Sequence, residues 1–146
     1  DIDLDKISGI LGCDSLFELN HTTFGKPRDR KQAIERWEKM SSNSGWLHTG
    51  YSLIFPCKSS VGESSIEIKR EITEVVSTKI FFTELNHKEI HDYVDTGEPF
   101  NCAGGFALEG RASVFISRIE GCYTNVMGLS LPWLREKLND SRVEIQ

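Results

Sequence analysis

A chain of 146 residues, 38% hydrophobic and 27% charged, has the composition of one globular domain, which excludes a disordered or collagen-like chain. The formal net charge of −5 offers no basic field for a polyanion, so we expect no nucleic acid polymer as partner. No stretch approaches the roughly 20 apolar residues that cross a bilayer, and the first residues lack the pattern of a signal peptide. We therefore expect a cytoplasmic protein that has no membrane partner.

The first part of the chain alternates strand-like and helix-like patterns. Residues 7–13 predict a short buried strand that ends at Asp14, and residues 15–19 predict a second extended piece before a polar turn. Asp29 is a suitable N-cap for a helix over residues 30–40, in which apolar side chains recur on one face.

The middle of the chain is rich in strand signals. Residues 46–55 and 66–76 predict strands, the second with isoleucines alternating in a polar background. A further short strand is predicted over residues 79–82. The sequence therefore places consecutive strands before the next helix.

The last part of the chain has clear helix boundaries. Asn86, followed three residues later by Glu89, has the layout of a capping box for a helix that ends near Gly97. A strand is predicted over residues 114–119 and a closing helix over residues 131–138. With no repeat or linker long enough to divide the chain, residues 1–146 predict a single α/β domain.

Two charged residues are candidates for chemistry. Asp14 follows an apolar strand, where a rigidly held carboxylate can serve as a metal ligand or a general base. A helix cap or a turn is the alternative role. Lys26 lies in the sequence G-K-P, where the flanking residues fix a loop that could direct the ammonium group at phosphate oxygens, although a solvated turn lysine fits the same pattern.

The glycine-rich stretch of residues 103–111 is the third candidate. Its small residues allow a ligand to approach the backbone closely, and Glu109 could accept hydrogen bonds from a base edge. The stretch matches neither a Walker loop nor the GxGxxG pattern, and a packing role is an equal alternative. Residues 120–125 form a second polar segment, which we interpret as a turn.

Histidines and cysteines give weaker signals. His87 and His91 are four residues apart on a predicted helix and could share a metal, but an exposed surface pair is the better interpretation. The cysteines are scattered without a CxxC pair, which argues against a zinc knuckle or a disulfide framework. We expect reduced, mostly buried thiols at Cys13, Cys57, Cys102 and Cys122.

The order of several motifs is more specific than any one of them. G-C-D-S, F-G-K-P, H-T-G-Y-S-L-I, E-I-H-D-Y-V, C-A-G-G-F-A-L-E-G-R and N-V-M-G-L-S-L-P, from about residue 8 to 138, resemble the Maf family of nucleotide pyrophosphatases. The resemblance implies a mixed twisted sheet flanked by helices, of the inosine-triphosphatase-like kind. It also implies hydrolysis of a nucleoside triphosphate to the monophosphate and pyrophosphate with a divalent cation, Mg²⁺ or Mn²⁺.

The resemblance assigns roles to four residues. Asp14 falls on the proton-accepting aspartate, which activates water and contacts the metal, and Lys26 falls on the phosphate-contacting lysine. Ser15 and Glu109 fall on two positions that help to choose the base. The family branch acting on dTTP and UTP shows Asp-Thr and a glutamine there, and the branch acting on 7-methyl-GTP shows Asp-Gln and a glutamate.

This chain has a mixture at those positions. The acid at Glu109 and the sequence C-A-G-G-F resemble the methyl-GTP branch, since a carboxylate can accept from the N–H donors of a guanine edge. Gly110-Arg111 resembles the other branch, and Ala112 stands where a glycine is common. The sequence favours a modified guanine nucleotide and leaves dTTP or UTP open.

The resemblance also indicates what the chain lacks. Family members begin with a strand that leads into S-x-S-P-R-R, a loop suited to triphosphate, and this motif does not occur before Asp1. We therefore expect about fifty residues to be missing from this domain. The leading hypothesis is an enzyme that forms a homodimer, and the alternative is a truncated, inactive nucleotide-binding or interaction protein of the same fold.

Overall fold

Five strands form one open sheet in the computed structural model, which describes residues 7–58 and 66–141. All pairings between the described strands are antiparallel, and the spatial order is β2-β1-β3-β4-β5. The strands are β1 Ile10–Leu19, β2 Thr22–Phe24, β3 Ser44–Lys58, β4 Ile66–Phe82 and β5 Ile116–Glu120. The α-helices are α1 Arg30–Met40, α2 His87–Val94, α3 Tyr123–Val126 and α4 Leu131–Asp140. An α/β fold with helices flanking a sheet is thus confirmed.

Strands β1, β3 and β4 are longer than the sequence patterns predicted, whereas β5 begins two residues later than predicted. The pieces predicted over 7–13 and 15–19 form the single strand β1, and those over 66–76 and 79–82 form β4. Both are continuous because they pair with β3 along its length, and β3 aligns Asp14 with Gly50 and Ser15 with Thr49. The expectation that the strand ends at Asp14 was therefore wrong: Asp14 lies in the middle of β1.

The helix boundaries follow the capping signals. Helix α1 has the predicted limits, and the Asp29 side chain accepts a hydrogen bond from the N–H of Gln32 at 2.8 Å. The predicted capping box is present at α2, where Asn86 and Glu89 bond reciprocally to each other's backbone N–H. Local hydrogen bonds decided where α1 and α2 begin, so the local sequence was sufficient to predict those boundaries. Helix α2 ends at Val94, three residues before the predicted end near Gly97.

The core lies on one face of the sheet. Leu47, Thr49 and Tyr51 alternate along β3 towards this face and are almost completely buried beneath the helices. Leu47 belongs to the main cluster with Phe17 of β1 and Trp37 of α1, whereas Tyr51 packs with Trp133 in a second cluster. The opposite face is more open, and hydrophobic side chains such as Val75 are exposed there.

The cysteines differ in part from the prediction. Cys13, Cys102 and Cys122 are free thiols, as expected, but Cys13 is exposed and the other two are half-buried. The side chain of Cys57 lies outside the described residues. Within the described ranges, no helix is both long and apolar enough to cross a bilayer.

Candidate functional site

A cleft of about 590 Å³ opens at the edge of β1. Strand β2 pairs with residues 17–19 of β1 only, so residues 10–16 have no second neighbour among the described strands. The cleft is lined by Cys13, Asp14, Ser15, Leu16, Gly25, Lys26, Ala103 and Gly128. Three of the residues selected from the sequence, Asp14, Ser15 and Lys26, therefore line one cavity.

Asp14 and Ser15 reach the cleft from neighbouring positions of β1. Successive side chains of a strand point to opposite faces, and both still line the cleft because it lies at the edge of the sheet. The N–H of Ser15 donates to Oδ1 of Asp14 at 2.8 Å, and the Asp14 side chain is exposed. The Ser15 hydroxyl lies 2.8 Å from that of buried Thr49, which fixes its direction.

The loop that carries Lys26 is held by helix α1. Nη1 of Arg36 donates to the carbonyl of Gly25 at 2.6 Å, and the Arg36 guanidinium lies 4.7 Å from the centre of the Phe24 ring. Arg36 is only 4% exposed, and burial lowers its pKa. Pro27 is buried as well. Lys26 thus projects into solvent from a loop whose two ends are fixed.

The glycine-rich loop is fastened to the next residue of the same helix. Nε1 of Trp37 donates to the carbonyl of Gly105 at 3.0 Å, and the N–H of Gly104 donates to the carbonyl of Gly25 at 3.4 Å. Gly104 has a φ of 75°, and a Cβ there would lie 2.7 Å from Cβ of Phe17. Only glycine permits this approach to β1 without a shift, so the loop lies directly against the strand that carries Asp14.

A second pocket of about 240 Å³ adjoins the first and contains Glu109. Ser15, Ala103 and Gly128 line both cavities. The other residues of this smaller pocket, most of them apolar, are Leu47, Asn101, Cys102, Phe106, Ala107, Val126 and Met127. A partly apolar pocket with a few polar groups suits a flat heterocycle, whereas the first cleft is more open and carries the charged side chains of Asp14 and Lys26.

Cys102 is a neutral part of the wall of this pocket. Burial raises the pKa of its thiol, and the negative charges of Glu109 and Glu98 raise it further, although Lys26 has the opposite effect. The thiol therefore stays protonated at neutral pH. A protonated thiol is a poor nucleophile.

The far wall of the smaller pocket, residues 126–128, comes directly after a residue whose amide side chain is buried. Asn125 is fully buried; its Oδ1 accepts from the Tyr51 hydroxyl at 2.7 Å, and its Nδ2 donates to Val76 and Thr78. The Tyr51 hydroxyl also accepts from the N–H of Ser130 at 2.8 Å. These bonds fix the chain just before the residues 126–128 that line the pocket.

Several residues that shape the site were not selected from the sequence. Arg36 occupies a position of α1 where Ala33, Trp37 and Met40 are buried, so a charge on an apolar helix face was an available signal. Asn125 lies in a segment interpreted as a plain turn. No local pattern distinguishes a buried turn amide from an exposed one.

The two histidines of α2, His87 and His91, contact two different side chains of α1. Nδ1 of His87 lies 3.5 Å from a carboxylate oxygen of Glu38, and Nδ1 of His91 lies 3.4 Å from the Arg30 guanidinium. Across the described residues, no group of three or more histidine, cysteine or acidic side chains is placed to hold a metal.

Asp14 nevertheless fits a hard divalent cation. Its exposed carboxylate uses one oxygen for the N–H of Ser15, and the structure gives the other oxygen no described protein partner. Mg²⁺ is commonly held by one or two carboxylates together with substrate phosphates and water. One carboxylate in an open cleft is enough for such a site when the substrate brings the remaining oxygens.

Comparison with known proteins assigns the fold to a family. The family described as Maf-like protein matches residues 2–141, which is almost the whole chain. The chain belongs to the Maf-like protein family. All four residues selected from the sequence lie within the matched range.

Several curated proteins are similar to this chain along most of its length. The chain is 53% identical over 144 residues to the nucleoside triphosphate pyrophosphatase of Prochlorococcus marinus strain SARG, covering 97% of this chain and 68% of the relative. It is 50% identical over 135 residues to the protein of the same name from strain NATL2A, covering 92% and 64%. For the one from Parasynechococcus marenigrum strain WH8102, identity is 47% over 143 residues, covering 98% and 68%. The chain thus spans about two thirds of the length of these relatives.

Proposed function

We propose that this protein is a nucleoside triphosphate pyrophosphatase that releases pyrophosphate and a nucleoside monophosphate. The observation that carries the proposal is the continuity of the two pockets through Ser15. An open cleft with the charged residues Asp14 and Lys26 at one end and a narrower pocket with Glu109 at the other match the two ends of a nucleotide. The name shared by the relatives from Prochlorococcus marinus and Parasynechococcus marenigrum supports the same activity.

In the proposed reaction, Asp14 accepts a proton from a water molecule that attacks the α-phosphorus. A bond forms between the water oxygen and the α-phosphorus, and the bond between this phosphorus and the oxygen that bridges to the β-phosphate breaks. Pyrophosphate leaves with the electron pair, and the proton passes from Asp14 to solvent. The exposure of the carboxylate allows that return.

Charge compensation falls to Lys26 and the cation. The ammonium group of Lys26 lines the same cleft as Asp14 and can contact the phosphate oxygens. A bound Mg²⁺ or Mn²⁺, held by Asp14 and the phosphates, would offset the charge that develops on them. The loop contacts from Arg36 keep Lys26 in place without a contact to the substrate.

Glu109 and Ser15 are proposed to choose the base. A carboxylate accepts from the N1 and exocyclic N–H groups of a guanine edge, and uracil and thymine present only one such N–H donor. We therefore propose a modified guanine nucleotide such as 7-methyl-GTP as the preferred substrate, with dTTP or UTP as the competing class. We also propose that the enzyme acts in the cytoplasm. We further propose that it is a homodimer, and sedimentation analysis would test this oligomeric state.

The test is the identity of the products. Phosphorus NMR of reactions with 7-methyl-GTP, GTP, UTP and dTTP should show pyrophosphate and a monophosphate, not inorganic phosphate and a diphosphate. The relative from Prochlorococcus marinus strain SARG serves as the positive control. If that relative releases pyrophosphate and this protein does not with any of the four nucleotides, the proposed function is wrong.

Asp14→Asn tests the role of the carboxylate. General base catalysis contributes about 10²–10⁴-fold, so the variant should lose turnover by about that factor while the fold is retained. Asp140→Asn is a matched control, because Asp140 is exposed at the end of α4, away from both pockets. Equal rates for Asp14→Asn and the control would remove Asp14 from the mechanism.

A further inference from the structure

The carboxylate of Glu98 holds the backbone immediately after Glu109. Its Oε2 accepts from the N–H of Arg111 at 2.9 Å, and its Oε1 accepts from the N–H of Ala112 at 3.2 Å. Oε1 also accepts from the Tyr93 hydroxyl at 2.7 Å, and Tyr93 belongs to helix α2. One side chain thus connects α2 to the loop that carries the proposed base-reading residue.

Gly110 makes this contact possible. A Cβ at Gly110 would lie 2.6 Å from the carboxyl carbon and from both oxygens of Glu98. Such a separation is shorter than real Cβ contacts, so any larger residue would displace the carboxylate from its three donors. The glycine between Glu109 and Arg111 therefore serves the approach of Glu98.

The electrostatics favour a charged, fully bonded Glu98. Burial is the largest single influence and opposes ionisation. The hydrogen bonds from Arg111, Tyr93 and Ala112 and the charge of Arg111 outweigh it, and the pKa of Glu98 lies below its ordinary value. Burial and the bond to Glu98 raise the pKa of Tyr93. At neutral pH the carboxylate is ionised and accepts charge-assisted hydrogen bonds, which are stronger than neutral ones.

The loop is anchored at both ends and free at its tip. Phe106 and Ala112 are buried, with exposed fractions of 4% and 0%, whereas Glu109 between them is exposed. The backbone path from Ala112 back to Glu109 is set by the two N–H groups that Glu98 holds. The direction of the Glu109 side chain into the smaller pocket depends on that path.

We propose that Glu98 is a positioning residue for base selection, which acts by holding Glu109 against the nucleotide pocket. The inference rests on the proposed function. Glu98 lines neither pocket of the proposed site. It lines a neighbouring recess with Thr96, Gly97, Asn101 and Arg111, and Asn101 borders the smaller pocket as well. A purely structural role would affect all nucleotides equally, whereas a positioning role changes the preference among them.

Glu98→Gln is the primary variant. In glutamine one acceptor oxygen becomes an NH₂ donor, which then faces the backbone N–H of Arg111 or of Ala112, and that N–H loses its acceptor. We expect the ratio of kcat/KM for 7-methyl-GTP to that for UTP to fall about tenfold, the equivalent of one charge-assisted hydrogen bond. The loss should appear in KM for 7-methyl-GTP, with kcat little changed, because Asp14 and Lys26 lie outside this loop.

Glu84→Gln is the matched control. Glu84 is exposed in the connection between β4 and α2, and the same charge change there should leave the ratio unaltered. The double variant Glu98→Gln/Glu109→Gln gives the sharpest test. If Glu98 acts through Glu109, adding Glu98→Gln to a protein that already carries Glu109→Gln should cause no further loss of nucleotide preference.

The outcomes separate the inference from the function beneath it. If the parent protein hydrolyses no nucleotide, the proposed function fails and the inference falls with it. If the parent is active and a folded Glu98→Gln keeps the nucleotide ratio, or loses kcat equally on every nucleotide, only the inference is overturned. Should Glu98→Gln fail to fold, Tyr93→Phe removes a single donor and should lower the ratio in the same direction, and an unchanged ratio there overturns the inference.

Discussion

The hydroxyl of Tyr51 is the most informative target for a stability measurement. It donates to Oδ1 of Asn125 at 2.7 Å and accepts from the N–H of Ser130 at 2.8 Å. Tyr51 is 1% exposed and Asn125 is fully buried, so water cannot replace the hydroxyl. Its ring stacks on Trp133 at a centroid distance of 4.5 Å, and this contact survives in Tyr51→Phe.

The expected loss follows from the two groups left without a partner. A buried polar group that loses its hydrogen bond costs about 1–3 kcal/mol. Asn125 Oδ1 and the Ser130 N–H both lose their hydrogen-bond partner. Ser130 is the N-cap residue just before α4, and we expect a small backbone shift there to recover part of the loss. We therefore expect Tyr51→Phe to lower the free energy of unfolding by about 2–4 kcal/mol.

Urea denaturation followed by tryptophan fluorescence measures this loss. Tyr123→Phe is the matched control, since Tyr123 is 63% exposed and the same oxygen is removed from solvent. We expect that variant to stay within about 0.5 kcal/mol of the parent. A loss below about 0.5 kcal/mol for Tyr51→Phe would refute the claim that its hydroxyl is an essential link in the wall of the smaller pocket.

Two further substitutions probe buried and exposed charge. Arg36→Met should change the free energy of unfolding by less than about 2 kcal/mol, because the relief of a desolvated charge offsets the lost bond to Gly25, while KM for the triphosphate rises. Urea denaturation measures the stability and steady-state kinetics measure KM. A stability loss of about 4 kcal/mol would contradict the first expectation, and an unchanged KM would contradict the second. Glu74→Gln should weaken the dependence of stability on acid pH. Hydrogen bonds from Trp133 and Lys137 hold the pKa of Glu74 below its ordinary value of 4.5 in the folded protein. The ionised carboxylate therefore stabilises the fold above that ordinary value, and this stabilisation is lost as the pH falls through the folded-state pKa. Melts from about pH 7 to about pH 3 measure this, and equal slopes for both proteins would contradict it.

Sequence reasoning succeeded where structure depends on neighbours in the chain. The limits of α1 and the capping box of α2 follow from side chains within four residues, and both were predicted. The strands were cut too short because Asp14 interrupts an apolar pattern in β1. Pairing with β3 carries the strand through that residue, and pairing is not visible in a local window.

The site divides in the same way. Asp14, Ser15, Lys26 and Glu109 were selected because they lie in recognisable motifs, and the structure places them along two adjoining pockets. Asn125 and Glu98 were not selected, because their roles depend on partners far along the chain or on another element. A buried polar residue shows its importance only when its hydrogen bonds can be counted.

Two consecutive residues of α1 hold the two loops of the site by hydrogen bonds. Arg36 holds the carbonyl of Gly25, and Trp37 holds that of Gly105. Consecutive residues of a helix differ by about 100° in direction and 1.5 Å in rise, so their side chains keep a constant relation to each other. The separation between the Gly25 end of the lysine loop and the Gly105 end of the glycine-rich loop is therefore set by one rigid element, α1, while Glu98 sets the position of Glu109 further along the second loop.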